Sequence, residues 1–280
     1  MKSENIDLAL IQPEAEVLEW SRYQKDHTLP CPTLLPDFNL VSVLVDKSKM
    51  TELLRPTGLV PKSIAFGRDV DYRTLDDTFS GPFWVRSSSG TSGLGSLLVD
   101  TEDKLTNWIH MNPEITNFMA STYLPGRNLA CKMLYYEGKL LRSACAERVN
   151  YIMAKVAPSG ITGNTSFGRL INDKEPVRRA SQALDHLFIQ TNTRKHGFFT
   201  VDFKEDEEGN PLITEINVRH VAFTQCFAAA GANFAEDTIR LLTGDATVDH
   251  GYQQYKFEEG QIFLRDVDER PILMNERDLL

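Results

Sequence analysis

The stretches Gly197-Phe-Phe-Thr-Val-Asp-Phe-Lys204 and Leu212-Ile-Thr-Glu-Ile-Asn-Val-Arg219 decide how this chain is read. They flank an acidic turn, Glu207-Glu-Gly-Asn210, and form two strands of a hairpin over residues 198–204 and 212–217. Centring the hairpin between Glu208 and Gly209 sets Asp202 opposite Glu215 and Val201 opposite Ile216. Side chains alternate faces along a strand, so Asp202, Glu215 and Asn217 share one face. Val201, Phe203, Thr214 and Ile216 then take the other, a mainly apolar face suited to a core. Two carboxylates on neighbouring strands repel unless a cation lies between them. Two carboxylates and an amide oxygen are hard donors that suit Mg²⁺, with its remaining positions left to water and phosphate. Taken alone, the fragment equally fits two solvated acids on a surface hairpin.

Working outward, Phe83-Trp-Val is a strand running into Ser87-Ser-Ser-Gly-Thr-Ser-Gly-Leu-Gly95, and Leu97-Leu-Val returns, which predicts a hairpin with a mobile tip. Backbone N–H groups unobstructed by side chains can close over phosphate oxygens, and hydroxyls add donors. The segment is not a P-loop and lacks the dinucleotide fingerprint; by itself it also fits a plain flexible loop. Arg86 at the end of the first strand is placed to grip a phosphate. Apolar spacing predicts helices over 14–23, 46–55, 102–111, 175–190 and 234–242. Further strands are expected over 6–11, 118–123, 129–136, 140–149 and 261–264, with a short one near Pro271. Tyr136-Glu-Gly-Lys139 turns the 129–136 and 140–149 strands into a hairpin. Pro30, Pro32 and Pro36 mark a loop. The first strand and helix cannot bury their apolar faces alone, so they pack on the remainder or on another chain.

Composition narrows the function classes. The 280 residues are 41% hydrophobic and 25% charged, which describes a globular chain rather than a disordered one. Thirty basic against thirty-nine acidic residues leave −9, which argues against a nucleic-acid binder. No apolar run is long enough to span a membrane, and the opening residues carry no secretory leader. Cys31, Cys131, Cys145 and Cys226 form no Cys-x-x-Cys pair, so the expected setting is a reduced cytoplasm. His27, His110, His186, His196 and His250 read as surface or satisfied histidines; His220 stands beside the proposed cation face.

With hairpin, loop and the motif Tyr123-Leu-Pro-Gly-Arg-Asn128 in this order, the chain resembles the ATP-grasp proteins, closest to the carbamoyl-phosphate-synthase-like carboxylate ligases. The resemblance runs from about residue 6 to the end. It implies an α+β (α/β) fold in which two α+β subdomains clasp a nucleotide, preceded by a remnant of a Rossmann-like domain. The implied division is 1–45 for that remnant, 46–245 for the ATP-grasp domain with a lid subdomain at about 61–122, and 246–280 for a strand extension. It also implies ATP and Mg²⁺, with small-molecule carboxylate and amine substrates. Lys47 and Arg86 match residues on the ATP phosphates, and the loop with Ser87, Ser88, Ser89, Gly90 and Ser92 matches the lid over them. Ser121-Thr-Tyr-Leu124 matches the interdomain hinge, with Tyr123 between the backbone groups of Thr122 and Leu124 that bind adenine. Asp202, Glu215 and Asn217 match the magnesium ligands, and Arg219 the basic residue after them. Arg219 and Arg86 are the implied catalytic residues. Ser159-Gly-Ile-Thr-Gly163 and Ala230-Gly-Ala-Asn233 match segments lining the cleft.

The departures are specific. Asn128 stands where relatives use an acid on the ribose, and Arg86 where many use lysine. Of the Rossmann-like domain, only a last strand and helix are expected, which predicts a homo-oligomer or a partner chain supplying the missing half. The expected activity is formation of an acyl phosphate from Mg-ATP and a carboxylate, followed by attack of an amine or similar nucleophile. Two alternatives stay open: a nucleotide-binding or scaffold subunit without turnover, and a small-molecule kinase of the same fold.

Overall fold

The computed structural model describes residues 5–88, 96–157, 159–160, 162–266 and 269–279. Two antiparallel sheets dominate. The smaller has four strands in the order β1-β4-β2-β3, from β1 (Ser63–Gly67), β2 (Phe83–Ser87), β3 (Leu97–Val99) and β4 (Asn117–Thr122). The larger follows the path β12-β11-β7-β6-β5-β8-β9. Its strands are β5 (Asn128–Tyr136), β6 (Lys139–Tyr151), β7 (Thr165–Ile171), β8 (Gly197–Glu205), β9 (Pro211–Asn217), β11 (Gln261–Leu264) and β12 (Ile272–Asn275). A two-residue strand, β10 (Gln253–Gln254), runs parallel to β6.

Three apolar clusters hold these layers. One face of the large sheet presents Leu129, Cys131, Met133, Phe199, Val201, Phe203, Ile213 and Ile216 to a layer of helices. That layer contains α1 (Glu14–Gln24), α2 (Phe38–Leu44), α3 (Lys47–Leu54) and α6 (Glu175–Thr191). The long α6 lies on it through Val177, Ala180, Ala183, Leu184, Leu187 and Phe188, the 3.6-residue stripe of a core-facing helix. The opposite face carries Ala130, Leu134, Ala144, Ala146 and Phe198. These pack on phenylalanines of the C-terminal part, including α7 (Thr224–Ala229) and α8 (Phe234–Leu242). The small sheet buries Phe83, Val85, Phe118 and Ala120 with residues of α4 (Tyr72–Phe79) and α5 (Glu102–Met111).

Local chemistry sets the key joints. Asp46 caps α3 by accepting from the N–H groups of Ser48 and Lys49 at 3.0 and 3.1 Å, which fixes Lys47 in the first turn. The β5–β6 turn uses Glu137 and Gly138, both at positive φ (44° and 87°), as a two-residue hairpin of this hand requires.

The structure departs from expectation in four places. Residues 6–11 form no regular strand: Ala9 makes one parallel bridge to Thr33, because no second strand lies beside the segment among the described residues. The proline-marked region is followed by a helix, α2, since apolar Leu40, Val41 and Leu44 share one buried face. Strands β1 and β7 and helix α4 stand outside the expected elements. Finally, β9 is bulged. Asp202 faces Glu215 and Val201 faces Ile216 as the turn register predicts, but Phe203 then pairs with Ile213. The extra residue moves Thr214 off the apolar face into the cleft, and Ile213 takes its place in the core.

Candidate active site

A cavity of about 560 Å³ lies between the two sheets. The small sheet supplies Trp84, Arg86, Ser87, Ser121 and Thr122, the connection supplies Tyr123 and Leu124, and the large sheet supplies Asn128, Arg148, Asp202, Glu215 and Asn217. Lys47 and Arg219 complete a strongly cationic wall. The connection from β4 to β5 stays close to the large sheet because Gly126 packs against it. A Cβ there would come within 2.6 Å of the Glu205 Cβ, and Lys204 Nζ donates to the Gly126 carbonyl at 2.5 Å.

The acidic residues are held by the cations. Arg148 Nη2 lies 2.5 Å from Asp202 Oδ1, and Asn217 Nδ2 donates to Asp202 Oδ2 at 3.2 Å. Lys47 Nζ is 3.0 Å from Glu215 Oε1. Burial pushes the Asp202 carboxyl above the usual carboxylate range, outweighing the pull of Arg148. Arg86 is half-buried, its buried Nε lacks a hydrogen-bond partner, and desolvation lowers its pKa. A buried unsatisfied guanidinium N–H facing a cleft suits an arriving anion. Glu14, the first residue of α1, also belongs to this electrostatic field. Burial first, then the Glu215 charge, raises its pKa, against Lys47 and Arg219.

The proposed residues divide as follows. Lys47, Arg86, Ser87, Thr122, Tyr123, Leu124, Asn128, Asp202, Glu215, Asn217 and Arg219 all line the cavity. The N–H of Thr122 is donated to the Lys62 carbonyl at 3.0 Å, so of its backbone groups only the carbonyl is left to offer a base. Ser88 does not line the cavity. Its N–H and Oγ both donate to the Asn117 carbonyl, and its own carbonyl accepts from the Lys47 N–H. Ser89, Gly90 and Ser92 lie outside the described residues. Ser159, Gly160 and Gly163 reach the cavity, whereas Ala232 is in the core and Asn233 caps α8. His220 stacks on Phe198 with ring centroids 3.8 Å apart, and burial holds its pKa down at about 3. Cys226 is a buried thiol.

Sequence reasoning missed two cations. Arg148 lines the cavity from β6, opposite Asn128 on β5. Lys132 is fully buried on β5; its ammonium donates to Thr224 Oγ1 at 2.8 Å beneath Phe198, Phe223 and Phe227. A basic residue within an apolar strand alternation was the available signal for Lys132. Arg127 pairs with Glu205 and Asp173 away from the cavity.

The chain has the ATP-grasp fold. It superposes on an L-amino acid ligase from Bacillus licheniformis with a TM-score of 0.67 at 15% identity, over 94% of this chain and 62% of that one. An N5-carboxyaminoimidazole synthetase from Staphylococcus aureus complexed with ADP gives 0.68 at 15% identity, over 93% and 66% of the two chains. A D-alanine–D-alanine ligase from Bacillus anthracis gives 0.59 at 20% identity, over 86% and 81%. The chain thus spans less than two thirds of the length of the first two. No family model and no curated protein sequence matches it.

Proposed function

We propose that this chain is an ATP-dependent ligase that activates a carboxylate as its acyl phosphate for attack by an amine or similar nucleophile. One observation carries the reading: Asp202, Glu215 and Asn217 converge on one face of the β8–β9 hairpin, inside a cleft walled by Lys47, Arg86 and Arg219. Two of the superposed structures are ligases and the third a synthetase complexed with ADP, which supports the reading.

The donor set fits Mg²⁺, which keeps several waters and needs only one or two carboxylates from a protein. Among the described residues no group of three or more His, Cys, Asp or Glu gathers, and the proposed set is two carboxylates and one amide. Asp202, Glu215 and Asn217 would hold the ion, which when bound supplies positive charge to the β and γ phosphates of ATP. The chain's own cations do the rest. Lys47, Arg86 and Arg219 neutralise charge developing on the transferred phosphoryl group, from side chains positioned before the substrate arrives. The hinge at Thr122, Tyr123 and Leu124 lines the place for the base, and Asn128 offers an amide to the ribose. No side-chain nucleophile is required.

The segment 6–11 fits an edge awaiting a second copy or a partner chain, since its single bridge leaves Ile6 44% exposed. Four free buried cysteines suit a reducing cytoplasm. Among the described residues no helix is long and apolar enough to cross a membrane.

Asp202→Asn and Glu215→Gln should each abolish magnesium-dependent ADP formation while the fold survives. Parent-like ADP formation in both variants at saturating ATP and magnesium would sink the assignment. Product analysis sets the reaction class: ADP with a new amide supports the ligase, and ADP with a stable phosphorylated product refutes it.

A further inference from the structure

The two carboxylates assigned to a cation are each paired with a cation of the chain. Arg148 reaches Asp202, with both side chains only about a tenth exposed, and Lys47 reaches Glu215. Asn217 turns its amide N–H₂, not its oxygen, to Asp202. Two protein cations therefore balance two carboxylates, the same two charges a divalent ion would bring. An ion taking the Asp202 oxygens removes the carboxylate charge facing Arg148 while that guanidinium remains largely buried. That state is costly unless an anion arrives to replace it.

Lys47 has its anion in the phosphates; Arg148 has no assigned task. It lines the cavity, and its guanidinium lies 5.0 Å from the centroid of the Phe223 ring. Its Nε is buried without a hydrogen-bond partner, an unspent donor that a fixed Arg–carboxylate pair would not need. The geometry points to Arg148 as a counter-ion that stands in for the divalent cation at Asp202 and passes to an anion of the substrate complex when the cation arrives. This rests on Asp202 being a cation ligand, as proposed above. The bare protein then binds divalent cations poorly, and cation and polyphosphate load together, each raising the other's affinity by the same factor.

The test is Mn²⁺ binding to the full chain, read from the paramagnetic signal of the free ion, with and without a non-hydrolysable ATP analogue. Without nucleotide, Arg148→Gln should bind Mn²⁺ about tenfold tighter than the parent, within the ordinary range of coupling between sites. It should also lose most of the affinity that the analogue adds in the parent. Arg148→Met, which keeps an apolar contact with Phe223, gives the same readout should the glutamine variant fail to fold. Equal or weaker Mn²⁺ binding by a folded Arg148 variant overturns the inference. Asp202→Asn separates the two ideas. If it abolishes Mn²⁺ binding while the Arg148 variants gain nothing, only the counter-ion role fails. If it leaves Mn²⁺ binding untouched, the cation-ligand assignment fails and the counter-ion role with it.

Discussion

Lys132 shows how a single buried charge ties this cleft to pH. Burial, and then the Arg148 charge, bring its ammonium from an ordinary 10.5 down to about 7. Below that value both the folded and unfolded chains hold the proton, and the desolvation cost is present in full. Between about 7 and 10.5 the unfolded chain binds more protons than the folded one, so stability rises with pH through this window. Lys132→Met has no such contribution. Its stability relative to the parent should fall as pH rises from 7 toward 10, by on the order of 1 kcal/mol per pH unit at most. Urea titrations at about pH 6.5 and 9.5 measure the difference, and an unchanged gap between variant and parent would refute it.

Two glycines decide how elements meet. Gly168 on β7 lies between Phe263 of β11 and Arg148 of β6. A Cβ there would sit 2.4 Å from Phe263 Cζ and 2.6 Å from the Glu147 carbonyl oxygen. Phe263 in turn stacks on Phe223, the ring beneath the Arg148 guanidinium. Gly168→Ala should therefore cost about 1–3 kcal/mol, the usual penalty of overpacking. A melting temperature equal to the parent's would show that the strands yield instead. Gly126→Ala should destabilise to a similar extent, about 1–3 kcal/mol, because the atoms it meets include the Glu205 and Asp206 backbone oxygens, which cannot swing aside.

At the scale of the whole molecule, the first forty residues are structural rather than appended. Val17, Leu35 and Leu40 are 1%, 2% and 0% exposed within the cluster beneath the large sheet. Deleting residues 1–40 should thus leave an aggregating chain, a test of the core and not of assembly. Association through the 6–11 segment is better tested by Ile6→Lys with Leu8→Lys, which spares those core positions. The parent should sediment as an oligomer or as a complex with a partner, and the double variant as a monomer. A parent that is a monodisperse monomer with full ligase activity would rule association out.

Features that depend on neighbours along the chain were legible before any folding was considered. The Asp202–Glu215 pairing followed from turn length and strand alternation, α3 from its Asp46 start and inward Met50, and α6 from its apolar stripe. Arg86 was legible from its place at the end of β2, but Lys47 and Arg219 entered by likeness to a family, and no spacing argument would have joined the three. The remainder came from contacts between distant elements. The β9 bulge that turns Thr214 into the cleft depends on packing between strands, and Arg148 reaches Asp202 across two strand pairings, β6 with β5 and β5 with β8. A charge closing on another 54 positions along the chain leaves no local pattern, because sheet order, not sequence order, sets that distance.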